Sequence, residues 1–162
     1  MYYLYRRIKS EEKTYIACDE LIIEKDRIRV KDHGLFAIYC WIITMGHCSS
    51  YKAYLSEEMH REAVHESIVL HRCYKFPFLK GNDVEIGPCR TDENYRGRGI
   101  YPTTLDHIIE HELAIGDAAY MIIDEKNVAS ISGVQKVGFR QVCKVRNDRF
   151  LKRYIILSSD NE

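Results

Sequence analysis

The sequence predicts a mixed α/β (α+β) fold in a single domain, 1–162. Three observations point to it. The order strand, glycine loop, helix, strand, helix, hairpin over the second half gives a mixed sheet with helices packed on it. The 162 residues suffice for one compact domain with a real core and are too few for two ordinary ones. An apolar share of 46% and a charged share of 30%, with only three prolines and nine glycines, belong to a folded chain without long disordered tracts. We find no internal repeat and no domain boundary.

The first 50 residues offer candidate strands at Tyr2 to Arg6, Glu20 to Glu24 and Arg27 to Val30. Leu35 to Met45 follows, an apolar run broken only by Thr44. It is apolar on all sides, so periodicity leaves strand and buried helix both open, and it is roughly half the ~20 residues of a membrane span. YKAYL and AVHESIVLH flank a short charged loop and read as a hairpin, with strands near 51–55 and 63–71. Phe76 to Asp83 is a loop with Pro and Gly. Val84 to Cys89 is a strand interrupted at Gly87-Pro88, where the missing ladder donor predicts a bulge or a splayed edge.

The polar stretch DENYRGRG precedes a helix. Pro102 suits its first position, Leu105, Ile108, Ile109 and Leu113 form one buried face, and the end is expected near Gly116. Ala118 to Ile123 is a buried strand, and Val128 to Val137 is a helix stopped by Gly138. Phe139 to Val145 and Phe150 to Leu157 close the chain as strands joined by an Arg-Asn-Asp turn.

Charge narrows the function classes. Twenty-four Lys+Arg balance 24 Asp+Glu, so no global positive field draws in nucleic acid or anionic membrane, and neither is expected as a partner. Cys18, Cys40, Cys48, Cys73, Cys89 and Cys143 form no C-x-x-C pair and are too sparse for a disulfide scaffold, which predicts free thiols in a reducing cytoplasm. The N-terminal MYYLYRRIKS places aromatics before basic residues, the reverse of a secretory signal.

The strongest chemical signal is Tyr95 to Pro102, YRGRGIYP, a basic glycine loop between a strand and a helix. Glycine lets backbone N–H groups approach an anion with no Cβ in the way, and a helix N-terminus adds partial positive charge. It is neither a Walker A loop nor a complete G-x-G-x-x-G. Arg90, Arg96 and Arg98 place three cations within nine residues, a clustering suited to phosphates.

These residues resemble the GCN5-related N-acetyltransferases (GNAT family), whose acetyl-CoA loop reads Q/R-x-x-G-x-G/A after a strand and at the start of a helix. Arg96, Gly99 and the strand Val84 to Thr91 match it. Asn127 to Phe139, NVASISGVQKVGF, is similar to the family's N…K-x-G-F helix and following strand, 31 residues downstream of Arg96. The resemblance covers about residues 51–157, while the first 50 add little. It implies a central mixed, mostly antiparallel sheet with splayed strands flanked by helices. The wording of YRGRGIYP and NVASISG is also similar to that of members found among bacterial sugar and polysaccharide biosynthesis proteins.

The resemblance implies that acetyl-CoA is the acyl-donor co-substrate, with no metal. Cys89, Arg90 and Thr91 would splay from the neighbouring strand and pair with the pantetheine arm. Backbone amides from Arg96, Gly97, Arg98, Gly99, Ile100 and Tyr101 would hold the pyrophosphate, and Asn127 would contact the pantetheine region. Glu85, eleven residues before Arg96, stands where histone-type members place a base. An amine is mostly ammonium at neutral pH, and a partly buried carboxylate of raised pKa would deprotonate it. A solvent-facing Glu85 is the alternative. A backbone N–H near Cys89 or Arg90 would meet charge on the thioester oxygen.

Three positions depart from the family pattern. Tyr101 stands where Gly or Ala is usual, Pro102 removes a possible N–H donor, and Val134 replaces the tyrosine that protonates the leaving thiolate in many members. His65 and Glu66 are second-choice bases. His107-Ile-Ile-Glu-His111 matches an inverted zinc-protease pattern, but Ile108 and Ile109 take the core face and turn both histidines outward. Among the twelve tyrosines, Tyr2, Tyr3, Tyr5 and Tyr74 suit a stacking platform, and strand propensity explains them as well. Cys89 as an acyl-carrying nucleophile lacks a histidine at recognisable spacing. Arg146, Arg149, Lys152 and Arg153 form a basic hairpin face, with an acidic partner or plain solvation as alternatives.

The resulting expectation is acetyl transfer from acetyl-CoA to a small-molecule primary amine, amino sugars first, by direct attack in a ternary complex. The alternative is a CoA-sensing or partner-binding module without turnover. The resemblance is compatible with a homodimer.

Overall fold

The computed structural model describes residues 1–11, 21–28, 33–56, 62–71, 73, 75–148, 150–151 and 153–157. Cys18, Tyr74, Arg149, Lys152 and the end of the strand expected over 27–30 lie outside them. The strands are β1 (Tyr2–Ile8), β2 (Leu21–Asp26), β3 (Cys48–Leu55), β4 (His65–His71), β5 (Val84–Thr91), β6 (Ala118–Asp124), β7 (Arg140–Asp148) and β8 (Arg153–Ile156). The helices among the described residues are α1 (Leu35–Thr44), α2 (Ile100–Glu112) and α3 (Val128–Lys136), with a 3-10 turn at Glu93–Tyr95.

One eight-stranded sheet runs β2-β3-β4-β5-β6-β1-β7-β8. Every neighbouring pair is antiparallel except β5 and β6. The expected mixed, mostly antiparallel sheet is therefore present. Its faces carry two cores. Leu105, Ile108, Ile109 and Leu113 of α2 pack with Val134 and Val137 against Val84, Ile86, Met121 and Tyr5 on one face. On the other, Cys40 of α1 and the loop residues Cys73, Phe76 and Phe78 cover Leu4, Ile68, Leu70, Tyr120 and Cys143. The five described cysteines are free.

The first 50 residues contribute more than expected. β1 is an interior strand between β6 and β7, and Arg7, 6% exposed, donates to Asp106 of α2 at 2.7 Å. Tyr5 is buried in the core and Tyr2 sits edge-on to Tyr154, so these tyrosines pack the sheet instead of lining a cleft. Leu35–Thr44 is a helix that buries only the narrow stripe Ala37, Cys40 and Thr44. It stops where Met45 and Gly46 adopt φ of 53° and 83°.

Boundaries moved for local reasons. β2 ends at Asp26, whose Oδ1 accepts from Arg27 N, so Arg27 and Ile28 form no strand. α2 begins at Ile100, putting Pro102 third in the first turn, where an N–H has no intrahelical partner to lose. It ends at Glu112 because Leu113 turns extended and Asp117 closes a turn onto Ala114. β7 continues through Arg146–Asp148, and the turn lies beyond, with Asp148 Oδ1 accepting from Phe150 and Leu151 N.

No described helix is long and apolar enough to cross a membrane.

Candidate functional site

β5 and β6 pair at only two levels, Val84 with Ala119 and Glu85 with Tyr120, although both strands continue. On the other side of β5, Val69 pairs with Ile86 and Ser67 with Cys89, so Gly87 and Pro88 together face the single residue Ile68. The interruption expected at Gly87-Pro88 is thus a bulge, and it turns the end of β5 away from β6.

A cleft of about 510 Å³ occupies the open end. Cys89, Arg90, Thr91, Arg96, Gly97, Gly99, Ile100, Tyr101 and Asn127 line it. Arg98, the remaining residue expected there, instead lies over the Tyr95 ring at 5.2 Å. Sequence reasoning missed Ala129, Ser130, Ser132, Gly133 and Lys136 of α3. The i, i+3, i+4, i+7 spacing of Ala129, Ser132, Gly133 and Lys136 was the available signal, since it puts them on one helix face.

The loop is built for close approach to an anion. Asp92 accepts from Asn94 N and starts the 3-10 turn, after which Gly97 and Gly99 adopt φ of 80° and 81°. A Cβ on Gly97 would meet no heavy atom within 4 Å, so that face of the loop is open. Gly99 caps α2 with no side-chain hydrogen bond, leaving the first helical N–H groups to the cleft. Arg96 reaches Glu93 at 3.3 Å with both side chains largely exposed, an exchangeable pair. Asn127 lines the cleft and also caps α3, its Oδ1 accepting from Ser130 N at 3.2 Å.

Tyr101 turns away from the phosphate side of the loop. The Cδ1–Cε1 edge of its ring abuts Gly133, where a Cβ would come within 2.7 Å of Cδ1 and 2.8 Å of Cε1. Its hydroxyl is 3.8 Å from Met121 Sδ. Burial pushes the phenol well above its ordinary range, with the nearby Cys89 adding to the effect. Val134 is fully buried and contributes nothing to the cleft.

Glu85 is buried, which sets aside the solvent-facing alternative, and its Oε2 has no hydrogen-bond partner. Desolvation pushes its carboxyl up to about 8, opposed by the Lys75 ammonium. Oε1 lies 3.0 Å from the Cβ position of Gly87, so that glycine leaves room for the carboxyl.

The second-choice bases are occupied. His65 is buried with Nδ1 2.7 Å from Thr91 Oγ1 and Nε2 2.8 Å from Ser67 Oγ, and burial lowers it to about 4. Ser67 in turn donates to Cys89 Sγ at 3.1 Å, linking Cys89 to a histidine through a serine. The Cys89 thiol is pushed up to about 12 by burial, so it stays protonated, the condition of a packed residue. Glu66 accepts from Ser50 and pairs with His33 at 3.2 Å. His107 and His111 stack at 3.9 Å, and no cluster of three or more metal-ligating side chains occurs among the described residues.

A larger cleft, about 820 Å³, opens at the opposite end of the sheet beside Lys25, Arg27, His47 and His71. It does not contain the glycine loop, and Glu85 lines neither cleft.

No family model matches the chain, and no curated protein matches it. Solved structures do. An acetyltransferase from the GNAT family of Colwellia psychrerythraea aligns with TM-score 0.59 and 11% identity over 87% of this chain and 52% of that one. A GCN5-related N-acetyltransferase from Kribbella flavida gives 0.53 and 6% over 86% and 53%. A domain from Methanocaldococcus jannaschii gives 0.55 and 16% over 85% and 99%. The chain thus spans about half the length of the first two. At these identities the likeness is one of fold, and the fold is that of the GNAT acetyltransferases.

Proposed function

We propose that this chain is an acetyl-CoA-dependent N-acetyltransferase acting on a primary amine of a small molecule, with amino sugars the first acceptors to try. The observation that carries this is the parting of β5 from β6 after Glu85 and Tyr120, with the glycine loop and the α2 N-terminus at the open end. An extended thioester arm fits between two such strands and takes backbone hydrogen bonds from β5, while the loop amides, Arg90, Arg96 and Lys136 meet the phosphates.

Glu85 marks the depth at which the reacting carbonyl stops. An ammonium arriving there meets a carboxyl raised to about 8, whose ionised fraction, growing as pH rises toward 8, takes up the proton. A backbone N–H near Cys89 or Arg90 stabilises charge on the thioester oxygen as the amine attacks directly in a ternary complex. The burial of Val134 supports a second function, a CoA-sensing module with the same cleft and no turnover.

The outer face of α1 supports a homodimer. Leu35, Phe36, Ile38, Tyr39, Trp41, Ile42 and Met45 are exposed on it, with Leu35 and Met45 at 83% and 84%. Together they leave on the order of 700 Å² of large apolar side chain in water, close to the ~800 Å² per partner of a stable interface. No residue of that helix is charged, so the face is complementary to a second copy of itself. A reducing cytoplasm suits the free thiols.

Calorimetric titration with acetyl-CoA tests donor binding, and release of free CoA in the presence of amines separates the enzyme from the sensor.

A further inference from the structure

Departure of the CoA sulfur leaves a thiolate in a desolvated cleft, where a hydrogen-bond donor stabilises it; Val134, on the α3 helix beside the cleft, is buried and offers none. From the geometry of the cleft, and resting on the acetyl-transfer function above, we propose that the hydroxyl of Tyr101, delivered from the glycine loop, donates to the leaving CoA sulfur.

The placement is specific. Met121, beside the Tyr101 hydroxyl, directly follows Tyr120, the last residue of β6 paired with β5. The hydroxyl therefore stands at the level where the strands begin to part, well inside the cleft from the phosphate loop. Its partner there is a thioether, a weak acceptor that a thiolate displaces readily. Gly133 is what admits the ring, since any Cβ at that position would collide with Cδ1 and Cε1. The glycine at 133 and the tyrosine at 101 are thus one packing unit, which places a phenol where the loop pattern expects a small residue.

The Tyr101 hydroxyl and the Glu85 carboxyl fall on opposite faces of the sheet. Val84 and Ile86 belong to the core under α2, and Tyr101 packs against that same core. Glu85, between them in the strand, points to the other face, where its field reaches Cys40 and Cys73 and where Lys75 acts on it. An amine enters past Glu85 and the sulfur leaves toward Tyr101, across the gap between β5 and β6. The N–C bond forms, the C–S bond breaks with its electron pair left on sulfur, and the Tyr101 hydroxyl hydrogen-bonds the thiolate while keeping its own proton, as its raised pKa requires. The proton shed by nitrogen is taken by Glu85 and reaches the sulfur through solvent, so that amine and acetyl-CoA give amide and CoA thiol with no other reactant.

The titratable groups around Tyr101 do not compete for this role. His65, 5.7 Å from it ring to ring, has both nitrogens engaged, and the Cys89 thiol accepts from Ser67.

The test is Tyr101→Phe, which keeps the ring on Gly133. CoA is bound to each protein and its thiol titrated by ultraviolet absorbance, and turnover of acetyl-CoA is followed with hydroxylamine as acceptor. The expected result is CoA affinity within about twofold of wild type, a bound thiol titrating at least ~1 pH unit higher in the variant, and kcat lower by about 10²-fold at unchanged KM for acetyl-CoA. Equal thiol titration in the two proteins, with CoA bound to both, overturns the assignment of Tyr101 alone. Absence of acetyl-CoA binding to the wild-type protein overturns the acetyl-transfer function and this assignment with it.

Discussion

Glu85 and Tyr120 form the last backbone pair between β5 and β6, and the Glu85 carboxyl beside that pair is buried with one oxygen unpartnered. The two strands therefore begin to part beside a buried carboxyl whose pKa is raised by desolvation, although Glu85 itself does not line the cleft.

Glu85→Gln separates its catalytic and structural effects. The folded-state pKa, about 8, lies above the carboxylate value of 4.5, so the native state holds a proton that the unfolded chain releases between these limits. Stability contributed by that proton is full below pH 4.5 and falls as pH rises through 8. The variant should match wild type near pH 4.5 and melt higher by roughly 3 °C or more at pH 9. Its turnover should fall about 10²-fold while acetyl-CoA affinity holds. Thermal melts at the two pH values and acetyl-CoA kinetics check this, and unchanged turnover would move the base elsewhere.

Gly133→Ala should destabilise the fold by about 1–2 kcal/mol despite the better helix propensity of alanine, because its Cβ collides with the Tyr101 ring. In a Tyr101→Ala background the same substitution should become neutral or stabilising. Urea denaturation of the four proteins of this cycle measures the coupling.

Glu112 anchors the opposite end of α2. Burial raises its carboxyl, but hydrogen bonds from His71, Lys25 and Tyr51 outweigh that and hold it near 2. Its contribution to stability is full above pH 4.5 and is lost as pH falls toward 2. Glu112→Gln should cost about 2 kcal/mol at pH 7 and flatten acid unfolding between pH 4.5 and 2, read by denaturation across that range.

Ile42→Glu puts a charge in the middle of the exposed α1 face. Sedimentation at tens of micromolar should show a wild-type dimer and a monomeric variant with an unchanged melting temperature. A monomeric wild type would remove the proposed interface.

Much of this was legible in the sequence where one face of an element is buried. Leu105, Ile108, Ile109 and Leu113 announced α2 and all lie in the core. Gly87-Pro88 announced the break in β5, because a missing N–H has a local consequence in any ladder. Leu35–Thr44 was not decidable, since its apolar residues surround the axis and the helix buries only its small ones. The interior position of β1 depends on long-range pairing with β6 and β7, which local pattern does not encode. In the site, the loop residues were found from glycine and arginine spacing. The direction of Tyr101 was not, because bulk at that position looks obstructive until Gly133, 32 residues away in sequence, is seen beneath it.

The central claim is that the opening between β5 and β6 receives acetyl-CoA, and the direct measurement is calorimetric titration of acetyl-CoA into the wild-type protein and into Gly99→Glu, with circular dichroism confirming that both are folded. Saturable one-to-one binding by wild type, lost when a carboxylate enters the loop, is the predicted result. No binding by wild type, or equal binding by a folded Gly99→Glu, would contradict it.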